Sequence, residues 1–247
     1  FSVPRRTLIE DGPEAVYDES AVQVQEVVFV LDRFGYCKLL DKSTYERNQE
    51  TVDTEQVHVI RCLNTDKICL FAASGSLYQI KAMDVPAGKL RDKGVPIENL
   101  SKYDGTKDSI VYLTCAQDLK GATLVFATKM AMVKQVPAEE FETNNRMVAA
   151  TKLQDGDQVV SILPVEGQEE VVLQTTSGVF LRFPLEEISV LKKASRGVRG
   201  IKLAKNEELE KLYLIGDNPV IDYKGKEVHM NRLKLAKRDG KGSKVRL

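Results

Sequence analysis

The stretch Gly178-Val-Phe-Leu-Arg-Phe-Pro-Leu-Glu-Glu-Ile-Ser-Val-Leu-Lys-Lys-Ala-Ser-Arg-Gly-Val-Arg-Gly-Ile-Lys-Leu203 decides the fold. It holds a short apolar strand, a turn proline, a basic loop punctuated by glycines and a second strand. Four other places repeat this grammar less clearly. Hairpin turns fall at Gly35, Gly75, Lys129, Gly178 and Gly225, with spacings of 40, 54, 49 and 47 residues. Four of the five are glycine, as a tight turn needing positive φ requires. A period of this length with about four short strands in each unit predicts an all-β disc of blades. Single units cannot bury both faces alone, so they stack on one another.

Around that stretch the remaining strands fall into place. Val27-Val-Phe-Val-Leu and Tyr36-Cys-Lys-Leu-Leu flank the first turn. Lys67-Ile-Cys-Leu-Phe and Leu77-Tyr-Gln-Ile flank the second, Ala122–Ala127 and Ala131–Lys134 the third, and Val220–Tyr223 and Glu227–Met230 the fifth. Residues 1–25 read as a leading strand (Arg5–Ile9) and a link. Residues 26–247 read as one domain of about five four-stranded blades, near 26–65, 66–115, 116–165, 166–216 and 217–247. The segment from Tyr45 to Thr51 reads as a polar loop. The leading strand is the expected partner that completes the last blade and fastens the ring.

Composition narrows the function. The 247 residues carry 36 basic and 36 acidic side chains. Residues 181–247 hold 17 Lys and Arg against 9 Asp and Glu, and residues 1–180 hold 19 against 27. This asymmetry places an anionic partner toward the C-terminal end. No apolar run is long enough to cross a membrane as a helix. The chain starts without Met, as an excised fragment does. Cys37, Cys62, Cys69 and Cys115 are scattered, there are two histidines, and no CxxC pair is present. Such cysteines read as small hydrophobes in a reducing cytosol, and no metal site is expected. No nucleophile–base pair or phosphate loop appears, so no catalytic residue is assigned.

Several segments resemble one family. Glu26-Val-Val-Phe-Val-Leu-Asp-Arg-Phe-Gly-Tyr-Cys-Lys38 looks like the opening blade of the C-terminal domain of type IIA DNA topoisomerase A subunits. Asp66–Pro86 resembles their second blade, Lys93-Gly-Val-Pro-Ile-Glu-Asn-Leu100 the segment after it, and Ala194-Ser-Arg-Gly-Val-Arg-Gly-Ile-Lys-Leu203 their recurrent loop. The resemblance covers about residues 5–247. It implies a β-pinwheel, a propeller-like disc whose blades exchange strands and whose basic rim contacts duplex DNA. The parent enzyme it implies is an ATP-dependent topoisomerase in the bacterial cytoplasm, associated with the nucleoid. ATP, Mg2+, the N-terminal cleavage region of the same polypeptide and a separate ATPase component belong to other parts of that parent. DNA gyrase carries a basic, glycine-rich box in its first-blade loop. The corresponding Tyr45-Glu-Arg-Asn-Gln-Glu-Thr-Val-Asp-Thr-Glu55 has one cation and no glycine. Its absence points toward topoisomerase IV, which decatenates and relaxes DNA, rather than toward a gyrase domain that wraps DNA. A protein-interaction propeller is the rival from another class.

The expected DNA contacts are Lys192, Lys193, Arg196, Arg199 and Lys202 in the fourth loop, with Gly197 and Gly200 letting its backbone approach phosphates. Lys237, Arg238, Lys241, Lys244 and Arg246 follow in the fifth, and Lys89, Arg91 and Lys93 in the second. Arg146 with Asn144 and Asn145 reads as ordinary turn chemistry, and Arg47 as solvated. Tyr36, Tyr78, Phe180 and Phe183 read as core rather than as base-stacking platforms. Contacts to about five phosphates give a log K against log salt slope near −4 to −5. The acidic first two-thirds confine contact to a partial arc.

Overall fold

A computed structural model describes residues 22–245. The chain opens with β1 (Glu26–Asp32), β2 (Tyr36–Asp41), α1 (Lys42–Arg47), α2 (Gln49–Glu55) and β3 (Gln56–Leu63). It continues through β4 (Lys67–Ala72), β5 (Ser76–Lys81), β6 (Val95–Pro96) and β7 (Ile110–Cys115). Next come α3 (Ala116–Leu119), β8 (Thr123–Thr128), β9 (Met132–Pro137), β10 (Met147–Ala149) and β11 (Val159–Pro164). The last part holds β12 (Glu170–Thr175), β13 (Val179–Pro184), β14 (Val198–Arg199), β15 (Leu209–Leu214), β16 (Val220–Tyr223), β17 (Lys226–His229) and β18 (Ser243–Lys244).

These strands form four antiparallel four-stranded sheets and one hairpin. Their orders are β3-β1-β2-β6, β10-β5-β4-β7, β11-β8-β9-β14, β15-β12-β13-β18 and β16-β17. The outer strand of every four-stranded sheet is delivered by the following repeat, so the blades exchange strands. The fold is the expected all-β pinwheel. Its fifth sheet holds two strands, rather than four, among the described residues. The expected leading strand Arg5–Ile9 lies outside the described residues.

Strand periodicity explains the stacking. On β4, Ile68 and Leu70 pack toward the first sheet with Phe29 and Leu31, while Cys69 and Phe71 pack toward the third with Phe126 and Phe141. On β8, Val125 and Ala127 face the fourth sheet, joining Leu173 and Phe183. Val172 and Phe180 then meet Tyr223 and Val228 of the last hairpin. A strand buried on both faces loses the polar alternation and reads as a continuous apolar run. The expected core residues are indeed inside: Tyr78, Phe180 and Phe183 are buried and Tyr36 is half-buried. All four cysteines are free and buried, and burial pushes the Cys37 and Cys69 thiols up to about 12, so they are inert at neutral pH.

Two expectations are corrected. The segment read as a polar loop is the helix pair α1–α2, whose Tyr45 and Val52 cover Val28, Val30 and Leu40 on the first sheet's other face. Asp41 caps α1 by accepting from the Thr44 amide at 2.8 Å, and Tyr45 Oη donates to Asp53 at 2.9 Å. The third hairpin anchor is not Lys129. The residue with positive φ is Ala131, at 62°, matching Gly35, Gly75, Gly178 and Gly225 at 77–84°. Its methyl is fully buried in the core, which is the packing gain that a glycine there would forgo.

Candidate nucleic-acid interface

Three loops are built alike. Each begins where the chain makes a parallel bridge to a hairpin's return strand: Ala87 to Leu39, Val190 to Gln135, and Leu235 to Arg182. Each ends seven residues later at a glycine with positive φ: Gly94 at 79°, Gly197 at 92° and Gly242 at 66°. An ideal Cβ on these glycines would lie 2.3 Å from the Cys37 carbonyl oxygen, 2.6 Å from that of Val133 and 2.7 Å from that of Phe180. Close approach to the sheet, rather than approach to a phosphate, explains Gly197. Gly200 is likewise turned inward, where a Cβ would lie 2.7 Å from Leu173. This corrects the expected role of both.

Equal loop length puts equal positions in register. Lys89, Lys192 and Lys237 occupy the third position of each loop, and Lys93, Arg196 and Lys241 the position before the glycine. All six are exposed. The sequence pattern is Lys-x-x-x-Lys/Arg-Gly, repeated three times. The second sheet breaks it. Its outer strand β10 pairs Met147 with Tyr78, so Met147 stands where the glycine stands elsewhere. Arg146 there lies 3.9 Å from Asp84, and Asn144 accepts from Lys67. Arg47, on α1, donates to the Ser43 carbonyl.

Buried lysines hold two of the loops from behind. Lys38 Nζ donates to the carbonyls of Leu90 at 2.7 Å and Asp92 at 2.5 Å. Lys134 Nζ donates to those of Lys193 at 2.8 Å and Ser195 at 2.7 Å, at the same two loop positions. Leu181 occupies the corresponding site behind the loop that ends at Gly242. There Arg182 fixes the loop's approach by donating to the carbonyls of Asn231 and Leu233. The sequence mark of the Lys38 and Lys134 sites is a lysine at a buried position of an otherwise apolar strand.

Burial lowers both ammonium groups, Lys134 to about 8 from its ordinary 10.5, with Glu140 opposing the shift. Between those two values the unfolded chain holds the proton more tightly than the folded protein. Stability therefore rises with pH across that window. Lys134→Met should flatten this rise. It should also cost about 1–3 kcal/mol at pH 7.5, because two loop carbonyls lose their donor. Denaturant unfolding at pH 7.5 and at pH 10 measures both effects.

The other expected contacts divide. Arg91, Lys202 and Lys244 are exposed, and Lys93 Nζ sits 4.1 Å over the Tyr36 ring. Lys193 is half-buried and donates to the Glu140 carbonyl at 2.9 Å. Arg199 forks onto Asp239 at 2.5 and 2.8 Å. Arg238 donates to the Arg199 carbonyl at 2.6 Å, and its backbone amide donates to Glu187. Lys193, Arg199 and Arg238 thus serve the fold as it stands. Arg246 lies outside the described residues. Among the described residues, no three His, Cys, Asp or Glu side chains come together as metal ligands would.

The stacked, strand-exchanging sheets with basic connecting loops define a β-pinwheel, propeller-like domain. A family model described as the DNA gyrase C-terminal domain, beta-propeller, matches residues 122–166 and 169–215. The gyrase A protein of Staphylococcus aureus is 28% identical over 266 residues, spanning 99% of this chain and 30% of that protein. In solved structures, the C-terminal domain of DNA topoisomerase IV superposes with a TM-score of 0.79 at 22% identity, covering 90% of this chain and 73% of that one. The E. coli ParC C-terminal domain superposes at 0.71 with 15% identity, covering 90% and 94%. The chain shares the fold of these topoisomerase IV and ParC C-terminal domains and is similar, over the matched residues, to the DNA gyrase C-terminal domain.

Proposed function

We propose that the chain binds duplex DNA through its phosphates, along a basic edge made by the three equivalent loops. The observation that carries this reading is the threefold recurrence of two exposed cations at fixed loop positions. Lysine and arginine in such pairs meet successive phosphates as point charges and forks, with no groove-reading element, so binding is insensitive to sequence and steep in salt. The loops of the third and fourth sheets are neighbours, while the second sheet lacks one. Contact is therefore a partial arc that bends DNA weakly.

In the parent, this domain holds one duplex beside the N-terminal cleavage region, which works with a separate ATPase component using ATP and Mg2+. The bacterial cytoplasm, at the nucleoid, is its place of work. Decatenation and relaxation in the manner of topoisomerase IV are favoured over gyrase-type wrapping, because the first blade carries the α1–α2 pair in place of a basic box. The chain covers 30% of the length of its gyrase relatives, and the whole protein's activity is inferred on that basis. Gel-shift titrations of linear duplex and of positively and negatively supercoiled circles test the reading. Binding to all three, with footprints short of a full turn around the disc, is expected. No binding at low salt would leave a protein-docking disc as the function.

A further inference from the structure

The last two basic loops are joined by more than proximity. Asp239 accepts both arms of the Arg199 guanidinium, and its amide donates to the Gly200 carbonyl at 2.7 Å. The Lys202 amide donates to the Gly240 carbonyl at 2.9 Å, and Ile201 bridges Gly240 in parallel. Arg238 closes the set on the Arg199 carbonyl. The Lys237–Gly242 loop thereby rides on the strand that ends the Lys192–Gly197 loop. Asp239 holds this position at φ 65°, a conformation uncommon outside glycine, and stands where the other loops carry Arg91 and Ala194. A carboxylate on an anion-binding edge opposes binding by simple charge count, so its placement calls for another reason.

We propose that Asp239 is a positioning residue: it clips the two loops so that Lys192, Arg196, Lys237 and Lys241 meet a duplex as one surface. This rests on the DNA-binding reading above. Arg199 is then a structural fork and not a phosphate contact. Lys202 and Arg238, the other cations near Asp239, reinforce its ionised state, which Arg199 chiefly holds below the usual carboxylate range.

The test compares the whole chain with D239N, R199Q and the double variant on a linear duplex. Asparagine keeps the size of the side chain and tolerates the left-handed backbone. The clip predicts that D239N binds about five- to tenfold more weakly, the worth of roughly one phosphate contact near 0.1 M salt, although the variant gains positive charge. R199Q should match it, and the double variant should be no weaker than either. Melting temperatures should barely move, since exposed ion pairs contribute little to folding. D239N binding as tightly as the parent chain, or more tightly, overturns the clip. So do additive losses in the double variant, which would show Arg199 touching phosphate. Failure of the unaltered chain to bind at low salt removes the DNA reading and the clip with it.

Discussion

Replacing Lys192, Arg196, Lys237 and Lys241 together with glutamine should lower affinity for linear duplex by about 4 × 10³-fold near 0.1 M salt, from roughly 0.9 log units per phosphate contact. The four side chains are exposed and none takes part in an ion pair among the described residues, so their removal leaves the fold's own contacts in place. The melting temperature should stay within a degree or two of the parent chain. Weak residual binding should persist through Lys89 and Lys93 on the separate loop that ends at Gly94. Anisotropy titrations with a labelled duplex measure the loss. An equal loss on neutralising four exposed lysines away from the loops would show that net charge alone sets affinity.

Gly94→Ala should be among the most damaging single substitutions. Gly94 combines a φ of 79° with a Cβ position 2.3 Å from the Cys37 carbonyl oxygen. The backbone conformation alone costs an alanine about 1–2 kcal/mol, and the clash forces the β2–β6 pairing apart. Gly35 is the built-in comparison: its φ is 84°, yet nothing lies within 4 Å of its Cβ position. Thermal unfolding should show Gly94→Ala lowered by about 10 °C and Gly35→Ala by about 3–5 °C, using the usual dependence of melting temperature on stability for chains of this size. Equal shifts would mean that close approach adds nothing to the conformational cost.

These two results bear on what the amino-acid sequence discloses. The hairpin glycines and the basic loops are legible because each is local, a turn or a charge cluster, and the repeat period follows from their recurrence. The doubly buried strands were legible as apolar runs. Ala131 was not, because an alanine at positive φ leaves no compositional mark, and the anchor slipped to Lys129 two residues earlier. The α1–α2 pair was missed because Tyr45 and Val52 alone carry its buried face in an otherwise polar stretch. Within the site, the clustering of cations is visible in the sequence, but the tethering of Arg199, Lys193 and Arg238 is not. Their partners Asp239, Glu140 and Glu187 are 40 to 53 residues away in sequence, and pairing at that distance exists only once the sheets exchange strands. What the buried Lys38 and Lys134 hold is hidden for the same reason, since those carbonyls belong to the next repeat.

The salt dependence of duplex binding by the unaltered chain tests the central claim most directly. If the clipped pair of loops engages DNA, log K against log salt should fall with a slope of about −3.6, steepening toward about −5.4 if Lys89 and Lys93 join. A slope near zero, or one that the four-fold glutamine variant leaves unchanged, would contradict a phosphate-binding edge built from these loops.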